Sequence, residues 1–137
     1  MFGLCMYEEY LLDILNGYRT CDVRLHASPK RGKIGLIKSK SNLLYGYVEF
    51  ISVEQITYED YVYWHVGENY SLMEAEIHIE ENRRSQYRKL KRAYKYNFIN
   101  PVLLDEPIKI KPIRKEGSWI EFDEKTIYPW YSKIELF

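Results

Sequence analysis

The sequence contains few residues of the kinds that build disulfide or metal-held frameworks. Its 137 residues include two cysteines and three histidines. Two cysteines supply neither a disulfide framework nor a zinc set, so Cys5 and Cys21 are expected to be free thiols. The histidines stand at no spacing typical of metal ligands, and we therefore expect no metal ion and no other cofactor.

Long apolar runs are also absent. No stretch of about 18 consecutive apolar residues occurs, so we expect no segment that spans a membrane. Residues 1–6 form a stretch that is too short for a signal peptide and lacks its basic start, which favours a cytoplasmic location. With 46% apolar residues, the chain can bury one ordinary core, and we expect a single domain over residues 1–137.

Acidic residues are missing from two segments. The formal net charge is zero, which argues against a general binder of polyanions. However, no acid lies between Asp22 and Glu49 or between Glu81 and Asp105, and both segments carry several lysines and arginines. Such segregation can give a dipolar surface whose basic side meets phosphates.

The second basic segment has helical spacing. Its basic residues recur at steps of four, three and four, and so form one stripe of a helix: Arg84, Arg88, Lys91 and Lys95. An apolar stripe lies beside it and consists of Tyr87, Leu90 and Tyr94. A basic stripe beside tyrosines suits a nucleic-acid backbone with stacked bases. The alternative is a solvated helix face, balanced by the acidic stretch before it.

One segment has a spacing typical of a site, and it reads Gly17-Tyr18-Arg19-Thr20-Cys21-Asp22-Val23-Arg24. On a strand through residues 20–25, Asp22 and Arg24 share a face with Thr20, while the intervening residues pack the other way. Arg19 stands at the entrance of this strand. A carboxylate between two guanidinium groups can hold them for an anion or for the polar edge of a base. Alternatively, Asp22 and Arg24 simply pair along the strand.

The octet has the form G-x-[KR]-x-x-[ED]-x-R, which resembles the signature of the ASCH family. These proteins are small β-barrels of the PUA-like superfamily and are associated with RNA and modified nucleosides. Residues 46–50, Gly-Tyr-Val-Glu-Phe, resemble the family's "G-x-V-E" strand, and residues 107–119 resemble its closing "P … K … G-x-W" element. The resemblance covers roughly residues 8 to 122.

The resemblance and the sequence pattern predict an α+β fold, a small PUA-like β-barrel of about five to six strands with flanking helices. We expect helices over residues 7–16, 57–65 and 71–92. Strands are expected near residues 20–25, 35–38, 43–53, 94–99, 108–110 and 119–123, with a final strand or docked tail over 128–137. Pro101, Pro107 and Pro112 are expected to lie in the intervening loops.

One branch of the family looks like an amidohydrolase that removes an acyl group from a modified cytidine nucleoside, using a Lys, a Thr and a Glu. By motif position these correspond to Arg19, Asp22 and Glu68. Arg19 stays protonated and cannot serve as the general base that a neutral Lys could be. Asp22 lacks the hydroxyl of a Ser/Thr nucleophile. We therefore prefer binding of single-stranded RNA or of a modified nucleoside, without a membrane partner.

In the binding hypothesis, Arg19 and Arg24 hold a phosphate or a carbonyl edge, and Asp22 orients them or accepts from an exocyclic amine. A nearby aromatic such as Tyr18 or Trp119 stacks on the base. Glu68 caps the other side of the pocket. Alternatively, Glu68 lies at a helix N-terminus, where the helix dipole favours a carboxylate. The residues expected to contact nucleic acid are Tyr18, Arg19, Asp22, Arg24, Lys33, Arg84, Arg88, Lys91 and Trp119. The structural alternative for Trp119 is a core anchor.

Three other functions stay open. Some ASCH-like proteins have been proposed to cut RNA, and a metal-assisted nuclease would need two or three converging carboxylates, of which Asp22 and Glu68 could be two. The amidohydrolase activity, with Arg19, Asp22 and Glu68 as catalytic residues, is another enzyme hypothesis. A protein-interaction module that uses the tyrosine-rich surface is the third.

Overall fold

The computed structural model describes residues 1–57, 60, 61, 64 and 92–123. This part of the chain contains one β-sheet and an α-helix near its start. The helix is α1 (Glu8–Leu15), and the strands are β1 (Phe2–Met6), β2 (Cys21–Arg24), β3 (Gly32–Lys38), β4 (Leu43–Ile56), β5 (Ala93–Lys109), β6 (Pro112–Glu116) and β7 (Trp119–Phe122).

The seven strands form a mixed sheet in the order β2-β5-β4-β3-β1-β7-β6. β1 runs parallel to β3 and antiparallel to β7, while β3 with β4, β2 with β5 and β6 with β7 are antiparallel pairs. The order begins at β2 and ends at β6, so the sheet of described strands is open. The predicted α+β, barrel-like fold is confirmed, with a sheet that does not close and with seven described strands.

The predicted helix over residues 7–16 is present as α1, and the six predicted strand ranges fall on five described strands, because 94–99 and most of 108–110 belong to the single strand β5. The sequence pattern did not predict two of the strands, β1 and β6. The prediction was also wrong at the prolines, since Pro101 and Pro107 lie inside β5 and Pro112 begins β6. The pairing explains this: β2 pairs with β5 only up to Asn97, so beyond it this edge of β5 does not need the N–H groups that proline lacks.

The described chain divides into two compact units. Unit 1 comprises Met1–Thr20, Arg31–Phe50 and Phe98–Phe137. One core cluster of unit 1 is built from buried side chains of β3, β4, β5 and β7 and their flanks: Ile37, Leu44, Tyr47, Leu104, Ile110, Ile120 and Phe122. α1 buries Leu11, Ile14 and Leu15. Its apolar residues repeat at helical spacing, so one face of the helix packs inward.

β4 approaches α1 and β5 closely at Gly46. A Cβ atom at this position would overlap the carbonyl oxygen of Val102 and would lie 2.8 Å from Cδ2 of Leu15. A side chain of any size is therefore excluded between α1, β4 and β5. The "G-x-V-E" pattern of the sequence thus has a packing reason at its first residue.

Unit 2 comprises Cys21–Lys30 and Ile51–Asn97. One core cluster of unit 2 consists of Val23, Tyr61 and Ala93, with Leu25, Ile56 and Trp64 packed against them. Within the predicted helix over residues 57–65, Asp60, Tyr61 and Trp64 are helical. The predicted helix over 71–92 and the tail over 128–137 lie outside the described residues, except for Arg92. In the described part of the chain, no helix is long and apolar enough to cross a membrane.

Candidate functional site

The first half of the octet forms the C-terminal stop of α1. Gly17 has a φ of +82°, and its N–H donates to the carbonyl of Ile14 at 3.1 Å. The N–H of Tyr18 donates to the carbonyl of Asp13 at 2.9 Å. These two bonds make a Schellman motif, which places glycine at the residue after the cap because the left-handed conformation costs glycine no strain. The glycine of the octet is thereby explained by local structure.

This turn delivers Arg19 to a fixed place. The N–H of Arg19 also donates to the carbonyl of Asp13, at 3.1 Å. Its guanidinium carbon lies 5.1 Å from the ring centroid of Tyr10, one of the helix residues, and its Nη1 atom is shielded from solvent. A cation is favoured beside the C-terminal carbonyls of a helix and over an aromatic face. The side chain of Arg19 is therefore held in place by α1 itself.

A pocket of about 320 Å³ opens at this point. It lies entirely within unit 1, and its lining consists of Ile14, Gly17, Arg19, Thr20, Val48 and residues 98–101 of β5. The carbonyl of Thr20 accepts a hydrogen bond of 2.9 Å from the N–H of Phe98, which ties the octet to the opposite wall. The volume is at the small end of the range for ligand pockets, which suits one small ligand.

The chemistry of the pocket is that of an apolar slot with a polar edge. Ile14, Val48 and Phe98 provide apolar walls, while Arg19 and Asn100 add hydrogen-bonding side chains. The arginine can only donate, whereas the Asn100 amide both donates and accepts. A flat ligand with apolar faces and a hydrogen-bonding edge that includes acceptors matches this arrangement.

The conformation of Asn100 is unusual for a strand residue. Its φ is +52°, a left-handed value that asparagine tolerates better than most residues, and Pro101 follows it in the chain. The sequence pattern did not indicate Asn100, Val48 or Ile14 as residues of the site. The Asn-Pro dipeptide was the one signal that could have drawn attention to a turn or bulge there.

The second half of the octet lies in unit 2 and forms an ion pair. Nε of Arg24 donates to Oδ2 of Asp22 at 2.6 Å, and Asp22 is 5% exposed. The expected alternation is confirmed, since Val23 enters the core of unit 2 and the neighbouring Cys21 accepts a 3.3 Å hydrogen bond from Nε1 of Trp64. The arrangement accords with the alternative in which Asp22 and Arg24 pair along the strand.

Three other predicted contact residues are placed by the structure. Tyr18 is 85% exposed. Lys33 is exposed, and its Nζ lies 4.5 Å from the ring centroid of Tyr47. Trp119 is half-buried and stacks on Phe50, with ring centroids 6.1 Å apart and planes 18° apart. None of the three lines the pocket of unit 1.

The remaining predicted site residues, Glu68, Arg84, Arg88 and Lys91, lie outside the described residues. The basic stripe does not continue to Lys95 as the helical spacing predicted. Lys95 lies in β5, where it is the register partner of Val23, and Tyr94 pairs with Arg24 in the same way. The helical period was wrong at these two residues because the chain has already entered the strand at Ala93.

A polar cluster of unit 1 shows shifted pKa values. Tyr45 and Lys38 both contact Oε2 of Glu8, at 3.1 Å and 3.0 Å. The hydrogen bond from Lys38 lowers the pKa of Glu8, and the same bond raises the pKa of Lys38. Burial raises the pKa of Tyr45, with a further contribution from its hydrogen bond to Glu8. Across the described ranges, no group of three or more His, Cys, Asp or Glu side chains is placed to hold a metal ion.

Comparison with known proteins gives a fold. No protein-family model matches the chain, and no curated protein matches its sequence. A crystal structure of an ASCH protein from Zymomonas mobilis, ZmASCH, is similar with a TM-score of 0.62 and 10% sequence identity, over 96% of this chain and 93% of that one. Two point variants of ZmASCH are similar with a TM-score of 0.64 each, at 11% and 10% identity. The chain therefore has the fold of ASCH domain proteins.

Proposed function

We propose that the pocket at the end of α1 binds one base of single-stranded RNA or of a modified nucleoside. The observation that carries the proposal is the position of Arg19. The octet resembles the ASCH signature, and its arginine lines a pocket together with Gly17 and Thr20 of the same octet. Arg19, which the sequence pattern indicates, therefore lies in the wall of a cavity. The cavity itself does not depend on that pattern.

The pocket suits a base for physical reasons. A nucleobase has flat apolar faces and an edge of donors and acceptors, which matches apolar walls and a polar rim. Arg19 donates from a planar group that can pair with two acceptors of one base edge. Asn100 supplies an acceptor as well as a donor, so an exocyclic amine can also be satisfied.

Asp22 and Arg24 take a structural role in this proposal. Oδ2 of Asp22 already accepts a hydrogen bond from Nε of Arg24, and both residues belong to β2 in unit 2. The positions of Glu68, Arg84, Arg88 and Lys91 in the proposal rest on the sequence pattern alone. Arg84, Arg88 and Lys91 remain predicted contacts to RNA, and the role of Glu68 remains a prediction as well.

The test is an affinity measurement on variants. Fluorescence anisotropy with a labelled single-stranded RNA of mixed sequence is compared for wild type, Arg19→Ala and Arg114→Ala. Arg114 is a matched control because its side chain is 71% exposed on β6 and lines no part of the pocket. We expect Arg19→Ala to weaken binding by roughly tenfold or more, since it removes hydrogen bonds from a charged donor.

The control should bind within about twofold of wild type, with unchanged thermal melting for both variants. Equal affinity of Arg19→Ala and wild type would refute the pocket. The same samples are run on a denaturing gel. Loss of intact RNA with time would replace the binding module by a nuclease.

A further inference from the structure

Two packed aromatic rings lie between the pocket and an exposed arginine. Phe98 lines the pocket, and its ring centroid lies 5.6 Å from that of Phe50. The guanidinium carbon of Arg31 lies 4.9 Å from the centroid of the same Phe50 ring. All of these residues belong to unit 1. The pocket and Arg31 are therefore connected through two packed rings.

The contact with the Phe50 ring places Arg31 on the pocket side of β4. Val48 lines the pocket, and the pairing with β3 is regular from Gly46 to Phe50. Residues two apart on a strand point the same way, so Phe50 shares the face of Val48, about 7 Å further along β4. Arg31 lies over this ring. The position is adjacent to the pocket rather than inside it.

Arg31 is suited to bind an anion. It is exposed, whereas the Phe50 ring beneath it is only 1% exposed and also stacks on Trp119. Contact with a fixed ring limits the freedom of the guanidinium, so binding a phosphate costs less side-chain entropy than it would for a freely moving arginine.

We propose that Arg31 binds the phosphate of the nucleotide next to the base held in the pocket. This inference rests on the proposed function, and it selects between the ligands that the pocket itself admits. A free nucleoside fills the pocket and leaves Arg31 without a phosphate. The ligand that uses both positions is a strand of single-stranded RNA.

Arg114 provides a matched control. It is also an exposed arginine of unit 1, its side chain is 71% exposed on β6, and it lines no part of the pocket. Removal of Arg114 changes the net charge as removal of Arg31 does, but it leaves the guanidinium over the Phe50 ring in place.

The experiment measures two ligands with each variant. Titration with the four free nucleosides is followed by NMR chemical-shift changes, and titration with mixed-sequence pentanucleotide RNA by anisotropy at several salt concentrations. For Arg31→Ala we expect unchanged nucleoside binding, roughly tenfold weaker binding of the pentanucleotide, and a salt dependence whose slope falls by about 0.7. Arg114→Ala should leave the pentanucleotide affinity within about twofold of wild type.

Three outcomes would overturn the inference. They are an unchanged pentanucleotide affinity and slope in Arg31→Ala, an equal loss for nucleosides and pentanucleotide in Arg31→Ala, and an equal loss of pentanucleotide affinity in Arg114→Ala. Arg31→Lys adds a second check, because it keeps the charge and should retain the salt slope. Failure of the proposed function itself is distinguished by Arg19→Ala, which would then bind nucleosides and RNA like wild type. Thermal melting of each variant establishes that it is folded.

Discussion

The ion pair between Asp22 and Arg24 gives a quantitative test of whether the second half of the octet is structural. Nε of Arg24 lies 2.6 Å from Oδ2 of Asp22, and the side chains are 21% and 7% exposed, respectively. Arg24→Met would leave a carboxylate with little access to water, which in buried pairs costs about 3 to 5 kcal/mol. Since the arginine is partly exposed, we expect about 3 kcal/mol, the lower end of this range.

The reverse variant, Asp22→Leu, should cost less. Arg24 retains some solvent access and can turn its guanidinium towards water, so we expect about 1 to 2 kcal/mol. The double variant removes both charges and leaves no uncompensated group. Replacement of a buried pair by apolar residues is often neutral, so the double variant should lie within about 1 kcal/mol of wild type.

The assay is urea unfolding followed by far-ultraviolet circular dichroism for the four proteins of the double-mutant cycle. The expected coupling energy is about 3 kcal/mol or more, since the two single losses together exceed the loss of the double variant by at least that amount. Equal m-values across the four proteins are the control that the unfolding transition itself has not changed. A double variant whose loss equals the sum of the two single losses would refute the reasoning, because the pair would then not be what stabilises either side chain.

Three further predictions concern unit 1. Gly46→Ala should lower the stability by about 2 kcal/mol or more and the melting temperature by several degrees, because the new methyl group overlaps the carbonyl oxygen of Val102. In melts at a series of pH values, the advantage of wild type over Glu8→Gln should be greatest near neutral pH. It should fall as the pH drops through the lowered pKa of Glu8, and again as the pH rises through the raised pKa of Lys38. Asn100→Gly keeps the positive φ but removes the amide, so it should weaken RNA binding in the anisotropy assay without loss of melting temperature, whereas Asn100→Ala should also cost roughly 1 kcal/mol in strain.

Local patterns predicted the elements whose cause is local. The helix before the octet follows from helical spacing, and its end follows from Gly17, which forms the Schellman motif. The strand through Asp22 follows from alternation. By contrast, β1 is a short apolar segment whose place is set by parallel pairing with β3, and its register partners lie some thirty residues away, such as Gly3 with Gly35. Such a pairing leaves no signal in the segment itself.

The residues of the candidate site also fall into those that a local pattern predicts and those that long-range contacts bring in. Arg19 could be predicted because the octet carries it, and its delivery to the pocket depends on the adjacent helix end. Asn100 and its neighbours could not, because they reach the pocket through the hydrogen bond between Thr20 and Phe98, nearly eighty residues apart in the chain. Arg31 was one basic residue among several in its loop until the register showed which face of β4 its ring partner Phe50 occupies.

The most direct test of the proposed pocket is to map a bound ligand on the protein by NMR. Uniformly ¹⁵N-labelled protein is titrated with single-stranded pentanucleotide RNA, and backbone amide shifts are followed. We expect the largest changes at Gly17, Arg19, Thr20 and Phe98, which line the pocket, and the loss of these changes in Arg19→Ala. Saturable shifts confined to other parts of the chain, with these four amides unmoved, would contradict it.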